Sequence, residues 1–148
     1  MLAGAATTRT RSIARRLRKF TVALVCGGTA LAAGVSGAAD VDWSAAQLVS
    51  VELVDERFVP NKLAFRRGVA YHLRLENTGT GMHEFTAPEF FKAVSVRNPE
   101  ALDPQQHEIV LQPKERRDVY FVPQKPGRYA LTCADHDWAG MTGEITIE

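Results

Sequence analysis

The chain has 148 residues, enough for one domain of ordinary size, and 45% of them are hydrophobic. Its formal net charge of +1 hides an asymmetry, because six of the 18 basic residues and none of the 17 acidic residues lie in the first 39 positions. Residues 40–148 therefore carry a net charge of −5, which argues against a function in binding nucleic acid.

Residues 1–39 have the pattern of a secretory signal peptide. A basic stretch precedes an apolar stretch of small residues, and Gly37 and Ala39 precede a cleavage point before Asp40. The alternative is a membrane anchor, which the glycines and the shortage of leucine disfavour. We expect cleavage and a periplasmic or otherwise exported protein, with membrane contact only through an uncleaved leader.

Residues 40–148 are predicted to form one domain of short strands separated by turns. About eight strands that alternate apolar and polar residues, with almost no helix, predict an all-β Greek-key sandwich. In chain order the strand segments are residues 48–54, RFVPNKLAFRRG (which turns at Pro60-Asn61), YHLRLEN, HEFTA, HEIVLQ, RDVYFV, GRYALTC and TGEITIE.

One segment, PEFFKAVSVRNPEALDPQQ, does not fit this pattern. It shows no strand alternation and is long for a connection. We predict that it crosses between the two sheets, with one helical turn over residues 89–94.

The end of the chain places Cys133, His136 and Met141 within nine residues. Cys133 shares strand parity with Leu131, so its side chain is predicted to point inward. Cys26 lies in the leader, so no disulfide can form within the exported domain. Each residue alone would be an ordinary core or surface residue, but thiolate, imidazole and thioether together form a soft metal-ligand set.

A copper site that uses cysteine, histidine and methionine in this way needs a second histidine. Three other histidines remain in the chain. His72 faces outward with the polar residues of its strand and is expected to be solvated. His107 begins a strand beside a glutamine-rich loop and is expected to be a strand-end residue. His83 shares parity with Phe85 and directly follows the turn sequence NTGTG. His83 is therefore the candidate that a sandwich end would bring to the cysteine.

The spacing C-x2-H-x4-M near the end of the chain, together with RFVPNKLAFRRG, LENTG and HEF, resembles the cupredoxins, the small blue copper proteins. The resemblance covers residues 49–148 and implies an eight-stranded Greek-key β-sandwich. It also implies that His83, Cys133, His136 and Met141 bind one copper ion that cycles between Cu(I) and Cu(II). Met141 would be the weak axial ligand.

The sequence departs from the family pattern in two places. Many cupredoxins carry an asparagine after the first histidine, which braces the cysteine loop, whereas this chain has Glu84. Met82 precedes His83 and would offer an extra soft ligand or merely cap the site. We expect Glu84 and the two aspartates that flank His136 to be solvated, and Trp138 to pack over the loop. The single cysteine argues against a binuclear copper site.

The resemblance implies a one-electron carrier that works with a redox partner protein and is not an enzyme. The sequence contains no Ser-His-Asp set and no phosphate-binding loop. The alternative is a copper chaperone or copper-homeostasis protein with a copper-handling partner. A third alternative, an interaction module without metal, would function without Cys133.

Overall fold

The structure is a computed structural model and describes residues 40–148. The predicted signal peptide, residues 1–39, lies outside the described residues and stays a prediction. Within residues 40–148 no helix is both long enough and apolar enough to cross a membrane.

The described residues form a β-sandwich of ten strands with one short α-helix, which confirms the predicted fold class. The sequence predicted about eight strands. The segment that was predicted to turn at Pro60-Asn61 contains both β2 and β3, and β6 was not predicted because three residues are too few to show a period. The elements are β1 (Gln47–Val54), β2 (Arg57–Val59), β3 (Lys62–Phe65), β4 (Tyr71–Asn77), β5 (His83–Thr86), α1 (Pro88–Phe91), β6 (Val94–Val96), β7 (Glu108–Leu111), β8 (Arg116–Pro123), β9 (Gly127–Thr132) and β10 (Thr142–Ile147).

The two sheets have five strands each, in the orders β2-β1-β4-β8-β6 and β3-β10-β9-β5-β7. The pairs β1–β4 and β3–β10 are parallel, and the other pairs are antiparallel. The chain passes from one sheet to the other at each of the seven connections from β2–β3 to β8–β9. This register gathers four connections at one end of the sandwich, namely residues 55–56, 78–82, 112–115 and 133–141.

Alternation along the strands produces the core between the sheets. In β4, Tyr71, Leu73 and Leu75 are buried, as the sequence predicted. Phe121 of β8 packs edge-on against Phe65, with ring centroids 5.0 Å apart, and stacks beside Tyr71. These aromatic contacts join the two sheets and make their relative position rigid.

His72 lies on the outer face of β4 but is not solvated, so that expectation was wrong. Its side chain is only 15% exposed, and Nε2 lies 2.6 Å from Oδ1 of Asp118. The imidazole also stacks on Tyr120, with ring centroids 4.4 Å apart. Both partners come from β8, and the period of a single strand does not reveal its cross-strand neighbours.

The predicted crossover contains α1 and β6. The helical turn begins at Pro88 and ends at Phe91, earlier than the predicted residues 89–94, because Val94 already belongs to β6. Phe90 and Phe91 are buried, and Phe90 stacks on Phe65 with ring centroids 5.7 Å apart. The crossover therefore closes the core at the end away from the four gathered connections.

We expect Phe121→Ala to lower the free energy of unfolding by about 3–5 kcal/mol, because it leaves a cavity where four aromatic rings meet. Urea denaturation of residues 40–148 would measure this loss. Leu48→Ala is the matched control, since Leu48 is 55% exposed and its truncation should change stability by less than about 0.5 kcal/mol. Equal losses in the two variants would contradict the described core.

Candidate metal centre

The loop between β9 and β10 carries Cys133, His136 and Met141 in a closed conformation. The N–H of Cys133 donates to the carbonyl of Met141 at 3.1 Å, and the N–H of His136 donates to the carbonyl of Cys133, also at 3.1 Å. A 3-10 turn, Asp137–Ala139, ends at Gly140, whose φ of 90° favours glycine. The loop therefore folds back toward the cysteine.

His83 is the first residue of β5 and is only 4% exposed. The preceding connection is organised by Asn77, which is fully buried. The amide of Asn77 donates to the carbonyls of Gly81 at 2.8 Å and Leu111 at 3.0 Å, and its oxygen accepts from the N–H of Gly79 at 3.0 Å. These bonds fix the connection that leads into His83.

Gly79 permits a close approach between this connection and the imidazole. A Cβ at position 79 would lie 3.2 Å from Nε2 of His83 and 3.3 Å from Oδ1 of Asn77. Such contacts are tighter than ordinary packing, so glycine lets the backbone rest against the imidazole.

His83, Cys133 and His136 lie together, with one potential ligand atom from each within 4.8 Å of the others. Nδ1 of His136 lies 3.4 Å from Sγ of Cys133, and the two imidazole centroids are 4.9 Å apart. Nδ1 of His83 is buried and has no hydrogen-bond partner among the described residues. Because a buried nitrogen without a partner is costly, the unpartnered Nδ1 of His83 together with a nearby thiol and imidazole fits a metal ion.

Met141 is fully buried and immediately precedes β10. Besides the carbonyl bond to Cys133, its N–H donates to the carbonyl of His136 at 3.2 Å. The backbone of Met141 is thus tied to two of the three clustered residues. Its place at the base of the loop is compatible with the predicted axial role.

Glu84 is buried, so the expectation that it is solvated was wrong. Its N–H donates to Sγ of Cys133 at 3.3 Å, and its Oε2 accepts from the N–H of Asp135 at 3.3 Å. Burial, with added repulsion from Glu108 and Asp135, raises the pKa of the Glu84 carboxyl. A carboxylate therefore braces the cysteine loop at the position where many cupredoxins use an asparagine.

Burial also shifts the pKa values of the clustered donors. It lowers the pKa of His83, and the neighbouring His136 lowers it further, while Glu56 and Asp55 oppose the shift. Burial raises the pKa of the Cys133 thiol, partly opposed by the N–H bond from Glu84. Without metal, the site thus favours a neutral imidazole and a protonated thiol, and a metal ion would displace the thiol proton.

The structure also places the remaining residues that the sequence singled out. His107 is exposed and lies next to Glu108, which pairs with Thr86 at the far end of β5 from His83. Asp135 and Asp137 are exposed, as expected, and Met82 is half-buried. Trp138 donates its indole N–H to the carbonyl of Asp135 at 2.9 Å, but its side chain is 79% exposed. A hydrogen bond therefore joins Trp138 to the loop, while most of the side chain lies in solvent.

The sequence reasoning missed the acidic turn of Asp55 and Glu56, which lines a recess together with His83 and His136. The turn joins β1 and β2, and its residues have φ values of 40° and 65°. Such a two-residue hairpin turn usually contains asparagine and glycine, so the pair DE gave no turn signal. Only the pairing of β1 with β4 brings this turn near His83.

The sequence model of the cupredoxin-like domain family matches residues 24–147. The chain belongs to the cupredoxin-like family. No curated protein matches the chain.

Solved structures agree with the fold of this cupredoxin-like chain. Auracyanin B is 21% identical, with a TM-score of 0.52 over 70% of this chain and 89% of its own. The dithionite-reduced auracyanin from the photosynthetic bacterium Roseiflexus castenholzii is 15% identical, with a TM-score of 0.53 over 70% of this chain and 98% of its own. At these identities the likeness shows a shared cupredoxin fold.

We expect Glu84→Leu to speed hydrogen exchange at the Asp135 amide by about tenfold or more, because a hydrogen bond to a charged group contributes roughly 1.5–3 kcal/mol. Amide exchange of the metal-free protein, followed by NMR, would measure it. Glu84→Gln is the matched control, since its amide oxygen can still accept from Asp135. If Glu84→Leu leaves this exchange unchanged, the side chain does not brace the loop.

Proposed function

We propose that this protein binds one copper ion through His83, Cys133, His136 and Met141 and carries single electrons. The supporting observation is the cluster of two imidazoles and one thiol, with a buried methionine at the end of the same loop. Two histidines and one cysteine with a weak axial methionine are typical of blue-copper electron-transfer sites. The cupredoxin-like fold supports the same function.

Copper would supply a couple that gains and loses one electron. The protein's part is to hold the donors in one arrangement that serves both oxidation states. The N–H of Glu84 on the sulfur, the brace to Asp135 and the closed loop all resist movement of Cys133. A site that changes little between the two states exchanges electrons with little reorganisation.

The edge of His136 is the proposed port for the electron. His136 is half-buried, whereas Cys133 and Met141 are buried, so its imidazole lies closest to solvent. Ala134 and Gly140, which flank it in the loop, are exposed and small. A small contact surface of this kind suits a brief encounter with a redox partner protein.

We further propose that the protein works outside the cytoplasm, in the periplasm or another exported location, and is not an enzyme. Export is inferred from the predicted leader, residues 1–39, and any membrane contact would come from that leader if it is not cleaved. We expect a single domain with one copper ion to transfer electrons and not to catalyse a reaction. The net charge of −5 over residues 40–148 disfavours nucleic acid as a partner.

A second candidate function is copper handling, in which the protein passes copper to a partner without carrying electrons. Met82, half-buried and directly before His83, favours this alternative because a thioether prefers reduced copper. The two candidates differ in the oxidation state that the site would favour.

Addition of cupric ion to purified metal-free protein tests the proposal. An electron carrier should develop one intense thiolate-to-copper absorption band with a matching paramagnetic resonance signal, and it should then exchange electrons rapidly with small redox reagents. Cys133→Ser should abolish the band, whereas the matched variant Thr132→Ser should retain it. A weakly coloured protein that retains only cuprous ion would favour copper handling, and an unchanged spectrum in Cys133→Ser would remove Cys133 from the site.

The assignment of the first histidine has its own test. We expect His83→Ala to leave copper bound but open to added imidazole, which should shift the absorption spectrum, because the buried nitrogen of His83 is lost. His107→Ala is the matched control, since His107 is exposed and should give no response to imidazole. The reverse result would assign the ligand to His107.

A further inference from the structure

A recess of about 310 Å³ opens over the two histidines and has an acidic mouth. Asp55 and Glu56 form this mouth and are both exposed. Within residues 40–148, neither carboxylate takes part in a hydrogen bond or an ion pair. The residues that line the recess are Asp55, Glu56, Thr80, Gly81, His83 and His136.

The acidic turn is held beside His83 by backbone contacts. Val54 pairs with Arg57 across the turn, which fixes Asp55 and Glu56 at the end of the β1–β2 hairpin. A Cβ placed on Gly79 would lie 3.6 Å from the backbone N of Asp55 and 3.2 Å from Nε2 of His83. Gly79 therefore packs between the turn and the imidazole, and the spacing of carboxylates and histidine is built into the fold.

The recess reaches the imidazoles of His83 and His136, which both belong to its lining. His83 is 96% buried, and its Nδ1 makes no hydrogen bond among the described residues. A cation drawn to the carboxylates would thus lie in the same recess as the two imidazoles. Because imidazole suits copper better than carboxylate does, we expect the ion to move from the carboxylates to the histidines.

The charges around the recess also favour the approach of a cation. The four connections at this end of the sandwich contain five acidic residues and a single basic one, Lys114. The amine of Lys114 donates to the carbonyl of Thr78 at 2.8 Å, and Glu115 is paired with Arg117. Arg57 directly follows Glu56 but belongs to β2. Acidic residues therefore outnumber basic ones in the connections around the recess, and clefts of one charge raise the local concentration of counter-ions.

We propose that Asp55 and Glu56 form an outer capture site that draws the copper cation into the recess toward His83 and His136. This inference rests on the proposed copper site and adds to it the route by which the ion arrives. Asp55 and Glu56 are not ligands of the final site. Their role is in the rate of loading.

The test compares copper uptake by metal-free wild type and the double variant Asp55→Asn/Glu56→Gln. Cupric ion is mixed with protein in a stopped-flow instrument at low ionic strength, and the thiolate-to-copper band reports arrival at Cys133. We expect the variant to load more slowly by a factor of about three to ten, because clefts of one charge raise association rates by at least this much. Raising the salt to about 0.5 M should shrink the difference, since the Debye length then falls below 10 Å.

Glu89→Gln/Glu148→Gln is the matched control. Both residues are exposed, and Glu148 follows Ile147 at the end of β10 away from Met141, while α1 packs near the same end. The control loses the same net charge and should load at the wild-type rate. Equal rates in all three proteins, or equal slowing in both variants, would overturn the capture site while leaving the copper site intact. A changed final spectrum in Asp55→Asn/Glu56→Gln would overturn it by making these residues ligands, and a wild type that never develops the band would overturn the copper site itself.

Discussion

A hydrogen bond from the N–H of Glu84 to Sγ of Cys133, 3.3 Å long, joins the two parts of the chain on which the candidate site depends. It is formed because β5 and β9 lie side by side and antiparallel, with Thr86 opposite Thr132 at the end of each strand. The start of β5 therefore lies beside the residues that follow β9. The same pairing places His83 beside the cysteine and lets the side chain of Glu84 reach Asp135. Without this pairing, the loop between β9 and β10 would hold Cys133, His136 and Met141 but would not lie beside His83.

Burial determines the protonation of the candidate metal ligands at this end of the sandwich. A buried imidazole with a lowered pKa and a buried thiol with a raised pKa are both held neutral, which makes them costly to leave without partners and available to a metal. Glu84 is the one buried acidic residue within residues 40–148, and its carboxyl accepts hydrogen bonds from backbone N–H groups beside the cluster. Asp55 and Glu56 remain outside in solvent. The site thus has neutral soft donors inside and negative charge at its mouth.

Much of the fold could be predicted from the sequence because each strand buries one face. The alternation of Tyr71, Leu73 and Leu75 predicted their burial, and the parity of Leu131 with Cys133 predicted an inward thiol. Strand β6 was missed, since Val94–Val96 is too short to show a period inside a long crossover. The environments of His72 and Glu84 were also missed, because each depends on a neighbouring strand or loop that strand parity does not identify.

The sequence by itself determined the local part of the site, namely Cys133, His136 and Met141, because a short loop keeps residues that are close in sequence close in space. It also made His83 the favoured remaining histidine through strand parity. Only the tertiary structure decided that His83 meets the loop, that Glu84 braces it and that the Asp55–Glu56 turn lies at its mouth. Those contacts join residues 49 or more positions apart or lie across separate hairpins, so they exist only once both sheets have paired and packed.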